Sequence, residues 1–201
     1  MTTLIGQEGP DFIAPAVLPS GKITNALKFS EYSKEKYSIL LFYPLDFTFV
    51  CPSELISLNK RIKVLESLGV KVLTVSIDSH FTHNAWRNTE ITKGGIGHVN
   101  YAMVSDVSHK IVKSYGVENK DLSIAYRATF LMDRCRIVRH QVINDLSLGR
   151  NMDELVRMVH ALQFSEKHGE VCPAGWNKGD EGMSPSHAGT VEYLTKNIDK
   201  L

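Results

Sequence analysis

The sequence predicts an α/β domain followed by an extended carboxyl-terminal arm. Three observations carry this. An apolar, strand-like run at residues 37–43 (YSILLFY) is followed by a helical stripe and then by a second apolar run at residues 70–77 (VKVLTVSI). Strand, helix and strand at that spacing form a βαβ unit with a parallel pair. Further on, residues 127–132 and 137–143 read as strands joined by a tight turn at 133–136, a β-hairpin. Finally, from His168 the composition shifts to Gly, Pro and small polar residues (GEVCPAGWNKGDEGMSPSHAG), which reads as an arm and not as core. The boundary is therefore set at a domain of residues 1–168 and an arm of residues 169–201. A length of 201 residues suits one domain with an appendage better than two full domains.

The elements follow in order. Pro44 ends the first strand, and a loop, LDFTFVCPSE, leads out of it. Leu55, Leu58, Ile62 and Leu65 then recur at spacings of three and four, the stripe of an amphipathic helix stopped by Gly69. After the second strand, a short helix is expected around residues 84–88, then a glycine-rich turn at 94–97 (GGIG). A strand is expected at 101–104 and a helix at 108–115, closed by Gly116. Asn151 and Glu154 have the spacing of a capping box, and Met152, Leu155, Val156, Val159 and Leu162 form the apolar face of the helix that follows. A last short helix is expected at 190–199. There is no internal repeat.

Composition limits the function classes. Hydrophobic residues make up 43% of the chain, enough to build a core. A formal net charge of +1 gives no reason to expect nucleic acid or an anionic membrane as partner. No apolar run is long enough to span a bilayer. The amino terminus, MTTLIGQEGPDFIAPAVLPSG, lacks the basic and apolar regions of a signal peptide. The three cysteines, Cys51, Cys135 and Cys172, are too few for a secreted disulfide scaffold, so a cytoplasmic protein with one or two working thiols is expected.

Cys51 lies between the first strand and the long helix. Pro52 suits the first helical turn, where its missing N–H would be unpaired in any case. The sulfur is thus placed at a helix amino terminus, which favours negative charge, and the thiolate is the nucleophile. Position alone leaves two readings open, a reactive thiol or an inert buried one. Thr48 adds a hydroxyl on the same loop, and Glu54 lies one turn into the helix, where an acid also favours the helix dipole.

The string YPLDFTFVCPSEL, residues 43–55, resembles the active-site signature of the typical two-cysteine peroxiredoxins, the bacterial alkyl hydroperoxide reductase C group. The similarity extends through VSIDSHFTHNAW (75–86), GGIG (94–97), AYRATFLMD (125–133), NDLSLGRN (144–151) and GEVCPAGW (169–176). It implies a thioredoxin-like fold and peroxidase chemistry without a cofactor. Cys51 matches the peroxidatic cysteine, whose thiolate attacks a peroxide oxygen and becomes a sulfenic acid. Pro44 matches the residue that shields the sulfur, and Thr48 the one that hydrogen-bonds the peroxide. Arg127 matches the arginine that stabilises the charge on sulfur and oxygens. Glu54 and Arg150 match a network that orients it; on sequence grounds Arg150 also fits a plain surface arginine. Ser53 stands where the family usually has Thr, a change that keeps the hydroxyl.

Cys172, in the arm, has the accessibility that disulfide exchange needs, and by itself fits an incidental surface thiol equally well. In the resemblance it matches the resolving cysteine, which forms an intersubunit disulfide with Cys51. An external dithiol, a thioredoxin-like protein or a flavoprotein reductase, then reduces it. Cys135 matches no family role and reads as incidental. The resemblance also implies a homodimer assembling into a ring of five dimers, with Phe81 and Thr82 at the contact between dimers. A GG-x-G loop paired with a Tyr-Phe motif marks sensitivity to overoxidation in the family; here the second part reads Tyr193-Leu194, so intermediate sensitivity is expected.

Three rival readings are weaker. A thioredoxin-type oxidoreductase needs Cys-x-x-Cys, and Glu54 stands three residues after Cys51. His80 and His83 are too few for a metal site. A holdase chaperone is demanded by no residue.

Overall fold

The computed structural model describes residues 3–200. Its elements are β1 (Ile13–Val17), β2 (Ile23–Lys28), α1 (Phe29–Tyr32), β3 (Tyr37–Phe42), α2 (Cys51–Ser67), β4 (Val70–Ser76), α3 (His80–Asn88), β5 (Ala102–Ser105), α4 (Lys110–Ser114), β6 (Glu118–Asn119), β7 (Ile124–Ala125), β8 (Arg127–Met132), β9 (Val138–Asn144), α5 (Met152–His168) and α6 (His187–Asn197). They fall into two compact units, one up to Met152 and one from Asp153 onward.

The first unit is built on a seven-stranded sheet in the order β2-β1-β5-β4-β3-β8-β9. β3 and β4 pair in parallel, from Tyr37 opposite Val70 to Phe42 opposite Val75, as the βαβ spacing required. β8 lies antiparallel to β3, and β9 returns antiparallel to β8 as the expected hairpin. All six residues of β3 are buried, which is why its sequence is apolar on both faces apart from Ser38. α2 turns Leu55, Leu58, Ile62 and Leu65 inward. Each contributes on the order of 1.5–3 kcal/mol by leaving water. Phe42, Tyr115 and Phe130 form a mutual ring cluster elsewhere in the core, with centroids 5.0 to 5.8 Å apart.

Several elements differ from the sequence reading. β1 and β2 carry no strong strand signal. Pro15 cannot donate to a ladder, and the register between β1 and β2 slips between Ala14 and Ala16, around that proline. α3 starts at His80, ahead of the expected 84–88, because Ser79 caps it: its hydroxyl accepts from the Thr82 N–H at 3.1 Å. α4 is shorter than 108–115, since His109 adopts a left-handed φ of 57° just before it. α6 starts at His187, where the Ser186 hydroxyl accepts from the Gly189 N–H at 3.1 Å. The two-residue ribbon of β6 and β7 has too little sequence to signal itself.

The GGIG loop closes the carboxyl end of α3. The Trp86 indole donates to the Gly94 carbonyl at 2.9 Å, and a β-carbon on Gly95 would stand 2.0 Å from the Thr89 carbonyl oxygen. Close backbone approach accounts for the glycine there.

In the second unit, the segment after α5 is coiled and not extended. Val171 and Met183 form an antiparallel bridge. Between them Trp176 is buried, its ring 4.9 Å from Phe164 and its indole donating to the Asp180 carbonyl at 3.1 Å. The Gly-, Pro- and small-polar composition hid this because one aromatic anchor organises the whole loop.

Candidate active site

Topology brings the site together. Cys51 opens α2 at the end of the loop that leaves the carboxyl end of β3. β8 is antiparallel to β3 with Thr129 opposite Leu41, so extending the register by two residues sets Arg127 opposite Tyr43, beside that loop. β9 pairs Asn144 with Arg127, and the chain beyond it carries Leu146 and Arg150 back to the same end of the sheet. Three separated sequence segments thus converge there.

Cys51 is fully buried, with Pro52 in the first turn of its helix. Its sulfur accepts a hydrogen bond from Arg127 Nη1 at 3.4 Å. The guanidinium therefore sets a positive charge against the sulfur. Arg127 is fixed from three sides. Its Nε donates to the Leu146 carbonyl at 2.7 Å, and Nη1 also reaches Glu54 Oε2 at 3.0 Å. The guanidinium plane is therefore set before any substrate arrives.

Glu54 is the hub. Arg150 donates to it from its backbone N, from Nε and from Nη2, each at 2.8 Å, while Arg150 Nη1 binds the Ala128 carbonyl and the Thr129 hydroxyl. The side chains of Arg127 and Arg150 are each 4% exposed and that of Glu54 2%, so Arg150 is not a surface arginine. Burial alone pushes the Glu54 carboxyl up. The hydrogen bonds and charge of Arg150, and then the charge of Arg127, outweigh it and hold the group below its ordinary value. A paired carboxylate between two buried guanidiniums meets the demand that buried charge be compensated.

The loop itself is pinned from within. Pro44 is buried beside it. Thr48 donates its hydroxyl proton to the Leu45 carbonyl at 2.8 Å, which leaves its oxygen lone pairs to accept. Asp46 is buried and accepts from the Tyr43 hydroxyl at 2.6 Å and faces His83 Nδ1 at 2.7 Å. His83 Nε2 faces the Val104 carbonyl at 3.2 Å, and the Asp46 N–H donates to Asp78 Oδ2 at 2.9 Å. Burial, then the Asp46 charge, pushes the Tyr43 phenol far up, so it serves as a neutral donor. The same two causes raise the Asp78 carboxyl. Sequence reasoning missed Asp46, Asp78 and His83 as supports for this loop. Their partners lie some thirty to forty residues apart, and no local pattern marks them. His80 and His83 do not share a ligand set, and no cluster of metal-ligating side chains occurs among the described residues.

Cys172 lies in the second unit, half buried, with its thiol donating to the Ala161 carbonyl at 3.4 Å. Burial raises its pKa, and the Arg157 charge opposes that rise. Cys135 is exposed in the β8–β9 turn, its N–H held by Asp133 Oδ1 at 2.8 Å. Phe81 is largely exposed, and Thr82 is half buried with its hydroxyl 2.8 Å from Ser79 Oγ.

Comparison with known proteins identifies the family and the fold. The AhpC/TSA family model matches residues 5–141, and the model for the C-terminal domain of 1-Cys peroxiredoxin matches residues 161–196. The chain is 52% identical over 194 residues to an alkyl hydroperoxide reductase C of Buchnera aphidicola from Schizaphis graminum, covering 96% of this chain and 98% of that protein. It is 50% identical over 198 residues to the alkyl hydroperoxide reductase C of Helicobacter pylori, covering 98% of this chain and all of that one. Among solved structures, the reduced 2-Cys peroxiredoxin of Plasmodium vivax superposes with a TM-score of 0.93 at 42% identity, over 96% of this chain and 100% of that one; the fold is thioredoxin-like.

Proposed function

This chain belongs to the AhpC/TSA family of peroxiredoxins, and we propose that Cys51 is the thiol with which it reduces peroxides. The protein is a thiol-dependent peroxidase. The observation that carries the assignment of Cys51 is its sulfur's hydrogen bond from an arginine that Glu54 holds in place. The Cys51 thiolate attacks the nearer oxygen of hydrogen peroxide or an organic hydroperoxide. The S–O bond forms as the O–O bond breaks, the departing oxygen takes a proton, and water or an alcohol leaves. Sulfur becomes a sulfenic acid and the peroxide is reduced. Negative charge spreads along the S–O–O line, and the Arg127 guanidinium, already oriented, neutralises it without reorganisation. Thr48, its proton committed to Leu45, accepts from the peroxide O–H and so selects a protonated substrate. Pro44 keeps water from the sulfur.

Cys172 completes the cycle as resolving thiol. Its sulfur displaces the hydroxyl of the sulfenic acid on a partner subunit, an S–S bond forms, and water leaves. A dithiol protein, thioredoxin-like or a flavoprotein reductase, reduces the disulfide. We place the enzyme in the cytoplasm as a homodimer that assembles further to a decamer. A groove lined by Phe12, Ile13, Phe81, Val107 and Ile111 supports that assembly, since apolar surface of this kind marks contacts. Among the described residues no helix is long and apolar enough to cross a membrane.

The test is peroxide consumption by wild type, Cys51→Ser and Cys172→Ser, with non-reducing gels. Cys51→Ser should consume none. Cys172→Ser should consume one equivalent per site and stall until a small thiol is added. Full turnover by Cys51→Ser would sink the assignment.

A further inference from the structure

We propose that Arg157 is a latch on the resolving arm, setting how fast Cys172 leaves α5 and hence how the Cys51 sulfenic acid divides between disulfide and overoxidation. This rests on Cys172 being the resolving thiol. In the resting state that thiol is poorly placed for attack, because it is half buried and its proton points at the Ala161 carbonyl of α5. To reach a sulfenic sulfur it must come away from that carbonyl.

The arm is tied on both sides of it. Toward the amino end, α5 stops at His168, four residues before Cys172. Toward the carboxyl end, Trp176 is four residues on, and four residues reach at most about 14 Å when fully extended. Trp176 is only 4% exposed and rests on Phe164. Its carbonyl accepts from Arg157 Nη1 at 2.6 Å. Arg157 is itself held in a two-pronged ion pair, Nε to Glu154 Oε2 at 2.6 Å and Nη2 to Oε1 at 2.7 Å. The fork is thus aimed along α5 at the arm, and a charged donor on a carbonyl makes a strong bond. While it holds, the short tether keeps Cys172 on the helix.

The Cys172 thiol loses its proton, its sulfur bonds to the Cys51 sulfenic sulfur, and the S–O bond breaks. The departing oxygen keeps its hydrogen, gains the released proton and leaves as water. If Cys172 arrives late, a second peroxide oxidises the sulfenic acid to sulfinic acid.

Reduced wild type, Arg157→Lys and Arg157→Met are mixed with one equivalent of hydrogen peroxide, quenched at intervals and run on non-reducing gels. The same proteins are then dosed with excess peroxide and sulfinic acid is measured by mass spectrometry. Both variants lose the fork and should form the disulfide roughly fivefold faster, the factor that corresponds to the net worth of about one typical hydrogen bond. Both should carry less sulfinic acid at equal dose. Failure of either variant to resolve faster overturns the latch. Slower resolution in Arg157→Met alone would mean that the positive charge serves the Cys172 thiolate instead. Cys172→Ser separates the two readings. If it still closes a Cys51 disulfide at the wild-type rate, the resolving-thiol assignment has failed. If it does not, and the Arg157 variants match wild type, only the latch has failed.

Discussion

The two thiols of the proposed cycle sit in opposite surroundings. Cys51 is fully buried, yet its sulfur accepts from a guanidinium. Cys172 is partly exposed, yet its thiol donates to a carbonyl. Accessibility and readiness are therefore reversed. The first sulfur faces a guanidinium, and the second thiol gives its hydrogen to a carbonyl. Burial raises the Cys172 pKa further, with Arg157 opposing it. The difference between the two thiols lies in the polarity of the bond at sulfur and runs against their solvent exposure. It follows that the network behind Arg127 should be rigid while peroxide is reduced, and that both the buried Cys51 and the segment around Cys172 must open before the disulfide closes.

The comparison breaks most severely at Arg127. Replacing it with Met removes the donor on sulfur and the charge facing the peroxide oxygens. Stopped-flow oxidation of Cys51 should slow by roughly 10²–10³-fold, the range for removing one preorganised donor. A loss below about threefold would mean that the arginine only packs.

Glu54 tests rigidity. Glu54→Gln leaves two buried guanidiniums without a carboxylate, which should cost about 3 kcal/mol in urea unfolding and slow peroxide reduction as Arg127 loses its anchor. An unchanged unfolding midpoint would contradict the network. The same carboxyl gives a pH dependence. Its folded-state pKa lies below the ordinary 4.5, so protons bind the unfolded chain first. The stabilisation is present above pH 4.5 and fades as the pH falls through the folded-state value. Wild type and Glu54→Gln should therefore converge in stability only in acid, and a gap that stays constant down to pH 3 would deny the shift.

The smallest effects lie at Thr48. Thr48→Val removes the acceptor and should lower the oxidation rate by about tenfold. Thr48→Ser keeps it and should stay within about threefold of wild type. Equal rates for both variants would remove Thr48 from peroxide recognition.

Much of this was legible in the chain. The apolar run of β3, the stripe of α2 and the hairpin of β8 and β9 each announced themselves, because their periodicity is local. Cys51 before Pro52 announced a helix start. Strand β1, which lies between β2 and β5, did not, since Pro15 interrupts its ladder, and α3 begins ahead of its apolar pattern because Ser79 caps it. Cys51, Thr48 and Glu54 share one segment and could be grouped by eye, whereas Arg127 and Arg150 joined them only through resemblance.

The sequence by itself determined β3, α2, the β8–β9 hairpin, a cysteine at a helix start and the absence of a Cys-x-x-Cys pair. Only the tertiary structure decided that Arg127 stands against the Cys51 sulfur, that Glu54 is a buried hub, that Asp46 and His83 pin the loop, and that Trp176 holds the arm in a coil. The physical reason is range. Periodicity and capping act over a few residues and are written in neighbours, while a hydrogen bond between residues 54 and 127 exists only after an antiparallel register brings the start of one strand to the end of another.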